Sequence, residues 1–383
     1  MEEEIYKINN LTVNEQKTQF CLSYNNGLKI FDAENFQEIS NSEGFEYDLG
    51  DVSLSLILPV ENILMFVGSK KNNDYPRNKL VFIDVNNKKI ISTETFDKDI
   101  TNIKLVFNYL FICLGNDLKV YYMDKMYKLK QKDDYILDDQ YKNIFEVWQT
   151  KEKYEEKIRI YLAYPYKNEI ILSYKNPNDW ELVEKININS PVSKIQNLFF
   201  IPKLNQIFIS DENSIYIYGF DVEDGSTKVC LRRGTNPGYI TSMTLINNNF
   251  LAVNNLNRTI HIFDLDINNN AFSFSNIVYG IFSKIKEIYP CLRIRYTDII
   301  EEKEGDFYQH DFTSKGAVLL SNEEEKDLTV IAYNGYAYKI RIDFKENKFE
   351  TVLKEKYAKK KDSIVKDGKI SKLSLFKSIN NFA

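Results

Sequence analysis

The sequence predicts an all-β chain, a β-propeller built from four-stranded antiparallel blades. Short alternating apolar runs are separated by turns rich in Asn, Asp, Gly and Lys, the period-two pattern of half-buried strands. The strand–turn–strand unit recurs at irregular but blade-sized intervals, about 40–50 residues or a small multiple of that. Aromatic residues fill 14% of the 383 positions, mostly as Tyr and Phe, which favour strands over helices.

The units follow one another along the chain. Phe20-Cys21-Leu22-Ser23-Tyr24 turns through Asn25-Asn26-Gly27 into Leu28-Lys29-Ile30-Phe31. The same shape returns at Ile112 to Tyr121 around Gly115-Asn116-Asp117, and at Ile207 to Tyr218 around Asp211-Glu212-Asn213. It returns again at Leu251 to Phe263 around Asn255-Leu256-Asn257, and at Thr329 to Ile340 around Asn334-Gly335. A lone hairpin buries little apolar surface, so the units have to stack radially. Four segments depart from this rhythm. Asp124–Tyr154, rich in Lys, Asp, Gln and Glu, reads as an insertion or a ragged blade edge. Asp266–Pro290 reads as a long connection and Glu301–Asp306 as an acidic loop. Tyr357–Ala383, opening on Lys359-Lys360-Lys361, reads as a basic tail. The domain division is therefore a propeller over 1–356 and a tail over 357–383.

Composition narrows the function. A net charge of −5 argues against a nucleic-acid partner, which calls for a broad basic face. Binding to an acidic surface must then use a local basic patch. Cys21, Cys113, Cys230 and Cys291 are scattered and form no C-x-x-C pair, which predicts small buried thiols in a reducing compartment. Met1-Glu2-Glu3-Glu4 is acidic where a secretory leader is basic, and no apolar run approaches the ~18 residues of a span. The expected setting is cytoplasmic, with peripheral membrane contact at most. Two histidines, His261 and His310, offer little for acid–base chemistry, and no nucleophile motif, phosphate loop or metal spacing is present. No enzyme, cofactor or metal is expected.

Leu231-Arg232-Arg233-Gly234-Thr235 resembles the Phe/Leu-Arg-Arg-Gly signature of the PROPPIN family, propellers that bind polyphosphoinositides. The run from Tyr239-Ile240-Thr241-Ser242 through Arg258-Thr259-Ile260-His261-Ile262-Phe263 is similar to that family's next blade. Val67-Gly68-Ser69-Lys70-Lys71 with Pro76-Arg77-Asn78-Lys79 is similar to its blade two. Phe20–Phe31 and Val330–Ile340 fit its blades one and seven. The resemblance implies a seven-bladed β-propeller that binds phosphatidylinositol 3-phosphate or 3,5-bisphosphate. It implies a monomeric adaptor, reversibly on endosomal, vacuolar or autophagosomal membranes. The implied partner is a lipid-transfer or conjugation-machinery protein of autophagy, met at Lys70, Lys71, Pro76 and Arg77.

Successive side chains along a strand point to opposite faces, so Arg232 and Arg233 in extended backbone serve two pockets rather than one. The planar guanidinium suits phosphate oxygens, and Gly234 lets a ligand approach closely. By the resemblance, Ser210 and Ser214 stand beside Arg232, while Thr259, His261 and Ser242 stand beside Arg233. Two positions depart from the family pattern. No histidine occurs near Ile188-Asn189-Ser190-Pro191, and Asn254-Asn255 replaces a serine pair. The second pocket is therefore expected to be the better one. Ile277, Tyr279, Ile281, Phe282, Ile285 and Ile288 fall in the blade-six connection (266–290), where a helix would make an amphipathic membrane-insertion face. The rival reading is a protein-interaction propeller without a lipid role.

Overall fold

The computed structural model describes residues 8–43, 45, 48–59, 62–151, 158–192, 194–266, 287–299, 316–321, 327–333 and 335–356. These form seven sheets in chain order, antiparallel but for one two-residue strand that pairs in parallel at the edge of the fifth. Blade one runs from Ile8–Val13 to Glu38–Asn41, blade two from Val52–Ile57 to Lys89–Thr95, and blade three from Asn102–Val106 to Leu129–Ile136. Blade four runs from Glu146–Lys151 to Leu182–Asn189, and blade five from Ile195–Ile201 to Thr227–Arg232. Blade six uses Ile240–Ile246, Phe250–Asn255, Thr259–Asp264 and Leu292–Arg295. Blade seven runs from Ala317–Leu320 to Lys348–Lys356. The expected seven-bladed propeller is the fold observed.

A blade is too thin to hold a core, so the apolar side chains meet between blades. Each seam between neighbouring blades carries one buried cluster, and the seven clusters close a ring. The ring closes by packing, because the four strands of blade one and of blade seven each come from one stretch of chain. At that closure Phe20, Phe31, Ile331 and Ala337 share a cluster, and the Leu11 amide donates to the Tyr333 hydroxyl at 3.2 Å. Cys21, Cys113 and Cys230 are buried in strands and Cys291 is half-buried; all four are free thiols. Burial pushes the Cys21 and Cys230 thiols up to about 12, which makes them packing residues.

Of the two readings of Asp124–Tyr154, the blade edge is observed and the insertion is not. The described part of that segment supplies the outer strand of blade three, Leu129–Ile136, and the inner strand of blade four, Glu146–Lys151. The outer strand is largely exposed, which is why Lys, Gln and Asp occupy it. Residues 301–306 and 357–383 lie outside the described residues, as do 267–286 of the connection.

Two glycines are dictated by local geometry. Gly27 closes the first hairpin at φ +126°, a region that L side chains rarely adopt. Gly68 ends the second strand of blade two, where a Cβ would stand 1.6 Å from the Tyr75 carbonyl oxygen. The Gly68→Ala variant is therefore expected to lose about 1–3 kcal/mol, because the backbone of the Ser69–Pro76 loop has to move. A denaturant melt checks this: an unchanged midpoint would mean the loop yields freely.

Candidate functional site

The last strand of blade five delivers the two arginines. Arg232 lies opposite Tyr216, which precedes Tyr218 on the face turned toward blade four. Leu231 belongs to the blade five–six cluster, and Arg233 follows it onto that opposite face. The two guanidinium groups share no partner, so the chain alternation separates them.

On the blade-six side, Arg233 is only 3% exposed. Its Nε donates to the Ser214 carbonyl at 2.7 Å, and its Nη2 donates to the carbonyls of Asn213 and Asn236. No acceptor among the described residues meets Nη1. Three carbonyl dipoles thus aim the group, but no carboxylate among the described residues neutralises it. Burial, and then the charge of Arg293, hold its pKa below the ordinary guanidinium value; it stays charged nonetheless.

His261 faces the same seam at 3% exposure. The Asn255 amide reaches His261 Nδ1 at 3.4 Å and the Thr259 hydroxyl at 2.9 Å. With Asn255 donating to Nδ1, the neutral ring carries its proton on Nε2 and offers it as a donor. Burial, then Arg233 and Arg293, pull the His261 pKa down to about 3.

Arg293 is the residue that sequence reasoning passed over. It lies directly across from His261 on the neighbouring strand, and Arg295 lies across from Thr259. Directly opposed residues of an antiparallel pair share a face, with Cβ atoms about 5 Å apart. Both arginines are exposed, and neither side chain has a hydrogen bond or ion pair among the described residues. The Arg293 Nη2 lies 3.9 Å from where a Cβ on Gly234 would stand. Gly234 thus leaves open the space in front of that guanidinium. Arg233, Arg293, Arg295, His261, Thr259 and Asn255 make one cationic, donor-rich seam between blades five and six. Its chemistry suits an oxyanion of more than one negative charge.

The other serines belong elsewhere. Ser242 was expected beside Arg233, yet its hydroxyl accepts from the Leu319 amide of blade seven at 2.9 Å. A register shift between Ile240 and Ser242 sets Ser242 opposite Asn254, turning it to the far face. Ser210 and Ser214 do not stand beside Arg232. Ser210 lies opposite Ile217, on the face turned toward blade six, and its hydroxyl is buried without a partner among the described residues. Ser214 donates its hydroxyl to the Asp211 carbonyl at 2.7 Å and serves Arg233 through its own backbone.

Arg232 is not free either. Its guanidinium lies 5.7 Å from the Tyr216 ring centre and 5.8 Å from that of Tyr289. Its Nη1 donates to the Tyr289 hydroxyl at 3.2 Å and stands 3.6 Å from a Glu287 carboxylate oxygen. On the blade-four side Arg232 is thus already engaged by the protein's own side chains.

Of the insertion residues, Ile277, Tyr279, Ile281, Phe282 and Ile285 lie outside the described residues. Ile288 does not present itself for insertion: it is 7% exposed, pairs with Leu231 and packs in the blade five–six core. On blade two, Lys70 is exposed 3.6 Å from Asp99, Lys71 is exposed and Pro76 is half-buried. Arg77 is spent on the blade two–three seam, donating from Nε to the Ile100 carbonyl at 3.3 Å.

No protein-family model matches the chain. Among solved structures, Kluyveromyces lactis Hsv2 with its complete loop 6CD is similar at a TM-score of 0.69 and 12% identity, over 92% of this chain and 99% of that one. Hsv2 of Kluyveromyces marxianus is similar at a TM-score of 0.67 and 14% identity, with the same shares covered. KlAtg21, solved in complex with the coiled coil of AgAtg16, is similar at a TM-score of 0.65 and 14% identity, over 92% of this chain and 99% of that chain. At such identities the likeness establishes the fold.

Proposed function

We propose that this chain is an adaptor of the PROPPIN type, which reads phosphatidylinositol 3-phosphate or 3,5-bisphosphate on endosomal, vacuolar or autophagosomal membranes. One observation carries the reading. A buried Arg233 and a neutral His261 converge with Arg293, and no carboxylate balances them among the described residues. A buried cation without a counter-charge is costly, and an incoming phosphate removes that cost. Arg233 Nη1, the Arg293 fork and His261 Nε2 supply the donors, while the Thr259 hydroxyl donates to Asn255 Oδ1 at 3.2 Å and braces that amide beside the ring. The membrane partner also fits a chain of negative net charge, because Arg233, Arg293 and Arg295 make a local basic patch at the blade five–six seam.

The comparisons support the same reading at the level of fold and partner class. KlAtg21 is seen with a coiled coil of AgAtg16, so the protein partner proposed here is an autophagy component of that kind. Lys70 and Lys71, exposed on blade two and away from the anion seam, form the candidate docking surface. The role is that of an adaptor without catalysis.

Vesicle flotation tests the reading. The protein should float with vesicles containing phosphatidylinositol 3-phosphate or 3,5-bisphosphate and not with vesicles containing phosphatidylinositol. The Arg293→Glu variant replaces an exposed cation with an anion, so it should fold normally and lose about tenfold or more in headgroup affinity. Flotation that ignores the 3-phosphate, or that survives Arg293→Glu unchanged, would leave a propeller scaffold without a lipid role.

A further inference from the structure

After the blade-six connection the chain does not return straight to blade six. Glu287–Ile288 first pairs in parallel with Cys230 and Leu231, adding a fifth strand to the outer edge of blade five. Only then does Leu292–Arg295 enter blade six as its outer strand. A two-residue strand is far too short to hold this detour by backbone bonding. Ile288 buried between the blades supplies part of the hold. The rest comes from Arg232. It sits between the Tyr216 and Tyr289 rings, with the Tyr289 hydroxyl and the Glu287 carboxylate as partners. The Tyr289 hydroxyl also donates to Glu287 at 3.0 Å, so the three side chains form one closed set.

We propose that Arg232 is a positioning residue, the clasp that fixes Glu287–Tyr289 on blade five and so sets Arg293 across from His261. It is not the ligand of a second anion. The molecule then offers one anion seam, at Arg233, rather than a pocket on each side of the paired arginines. The chemistry agrees: the Arg232 fork already faces a carboxylate, while the Arg233 and Arg293 forks face none among the described residues. Only three residues separate Tyr289 from Arg293, so the position of one constrains the other.

This inference rests on the anion reading of the Arg233 seam, and calorimetry with inositol 1,3-bisphosphate separates the two. The wild type should bind one equivalent. Arg232→Ala should still bind one, roughly threefold to tenfold more weakly, the scale of a lost exposed cation–π set. Tyr289→Ala is the decisive variant. It leaves the Arg232 charge in place and open, yet should weaken binding by a similar factor at the same stoichiometry. Two equivalents in the wild type, or stronger or additional binding in Tyr289→Ala, would overturn the clasp. Amide exchange across 287–295 gives a readout independent of ligand and should rise about tenfold in Arg232→Ala as local opening becomes easier. Unchanged exchange there would overturn the clasp even if the wild type binds. Faster exchange in a protein that binds no headgroup would keep the clasp and reject the anion reading.

Discussion

Replacing Arg233 with alanine is expected to cut headgroup affinity by about a hundredfold or more, the largest loss of any single change in the seam. The expectation follows from how the side chain is held. Nε and Nη2 are committed to the carbonyls of Ser214, Asn213 and Asn236, so the direction of Nη1 is fixed before any ligand arrives. Preorganised donors lose little on binding, and a charge-assisted hydrogen bond from such a group contributes about 1.5–3 kcal/mol. Alanine removes that bond and the seam's buried positive charge together.

The same substitution acts on stability in two opposing ways. It takes a donor from the Ser214 and Asn236 carbonyls, while Asn213 keeps the Gly238 amide, and costs about 1–3 kcal/mol for an acceptor that stays buried. It also removes a desolvated cation that the charge of Arg293 repels. The melting temperature should therefore shift modestly while binding falls steeply. Arg233→Lys keeps the charge and gives up the fork, and it should lie between wild type and alanine in headgroup titrations. Full affinity in Arg233→Ala would remove the central cation from the proposed function.

Sequence and site were legible to different depths. The inner hairpins could be read because burial on both faces makes them nearly continuous apolar runs, and turns such as Asn25-Asn26-Gly27 mark their ends. The outer strands were harder. Leu129–Ile136 and Lys89–Thr95 face solvent along one edge, so their composition is that of a loop. The divergence of Arg232 from Arg233 follows from strand alternation alone. Which pocket each serine joins does not. Ser242 turned to blade seven because one irregular step in register inverts every side chain beyond it. Arg293 had no local mark at all. It reaches His261 only through pairing across a connection of more than twenty residues, a contact that no spacing rule encodes. The engagement of Arg232 by Glu287 and Tyr289 was hidden for the same reason.

The second large effect belongs to His261 and carries a definite sign with pH. Its folded pKa lies near 3, below the ordinary 6.5, because burial and the charges of Arg233 and Arg293 oppose the imidazolium. The unfolded chain therefore takes up this proton first. The stabilising contribution is complete above about pH 6.5 and is lost progressively as the pH falls toward 3. At pH 5 the loss amounts to about 2 kcal/mol, from roughly 1.4 kcal/mol per pKa unit. A His261→Gln variant lacks this term, so the difference between its denaturation curve and that of wild type should open below pH 6.5 and widen with acid. A bound phosphate reverses the balance. It supplies the negative charge that the seam lacks, so it raises the His261 pKa and draws in a proton on binding. Headgroup affinity should then strengthen on acidification from neutral pH. Titrations in two buffers of different ionisation enthalpy should report proton uptake that vanishes in His261→Gln. Acid that weakens the unliganded protein would thus tighten its hold on the membrane, and both effects should trace to one imidazole. Equal acid slopes in wild type and His261→Gln, with no proton uptake, would show that the ring does not belong to the anion seam.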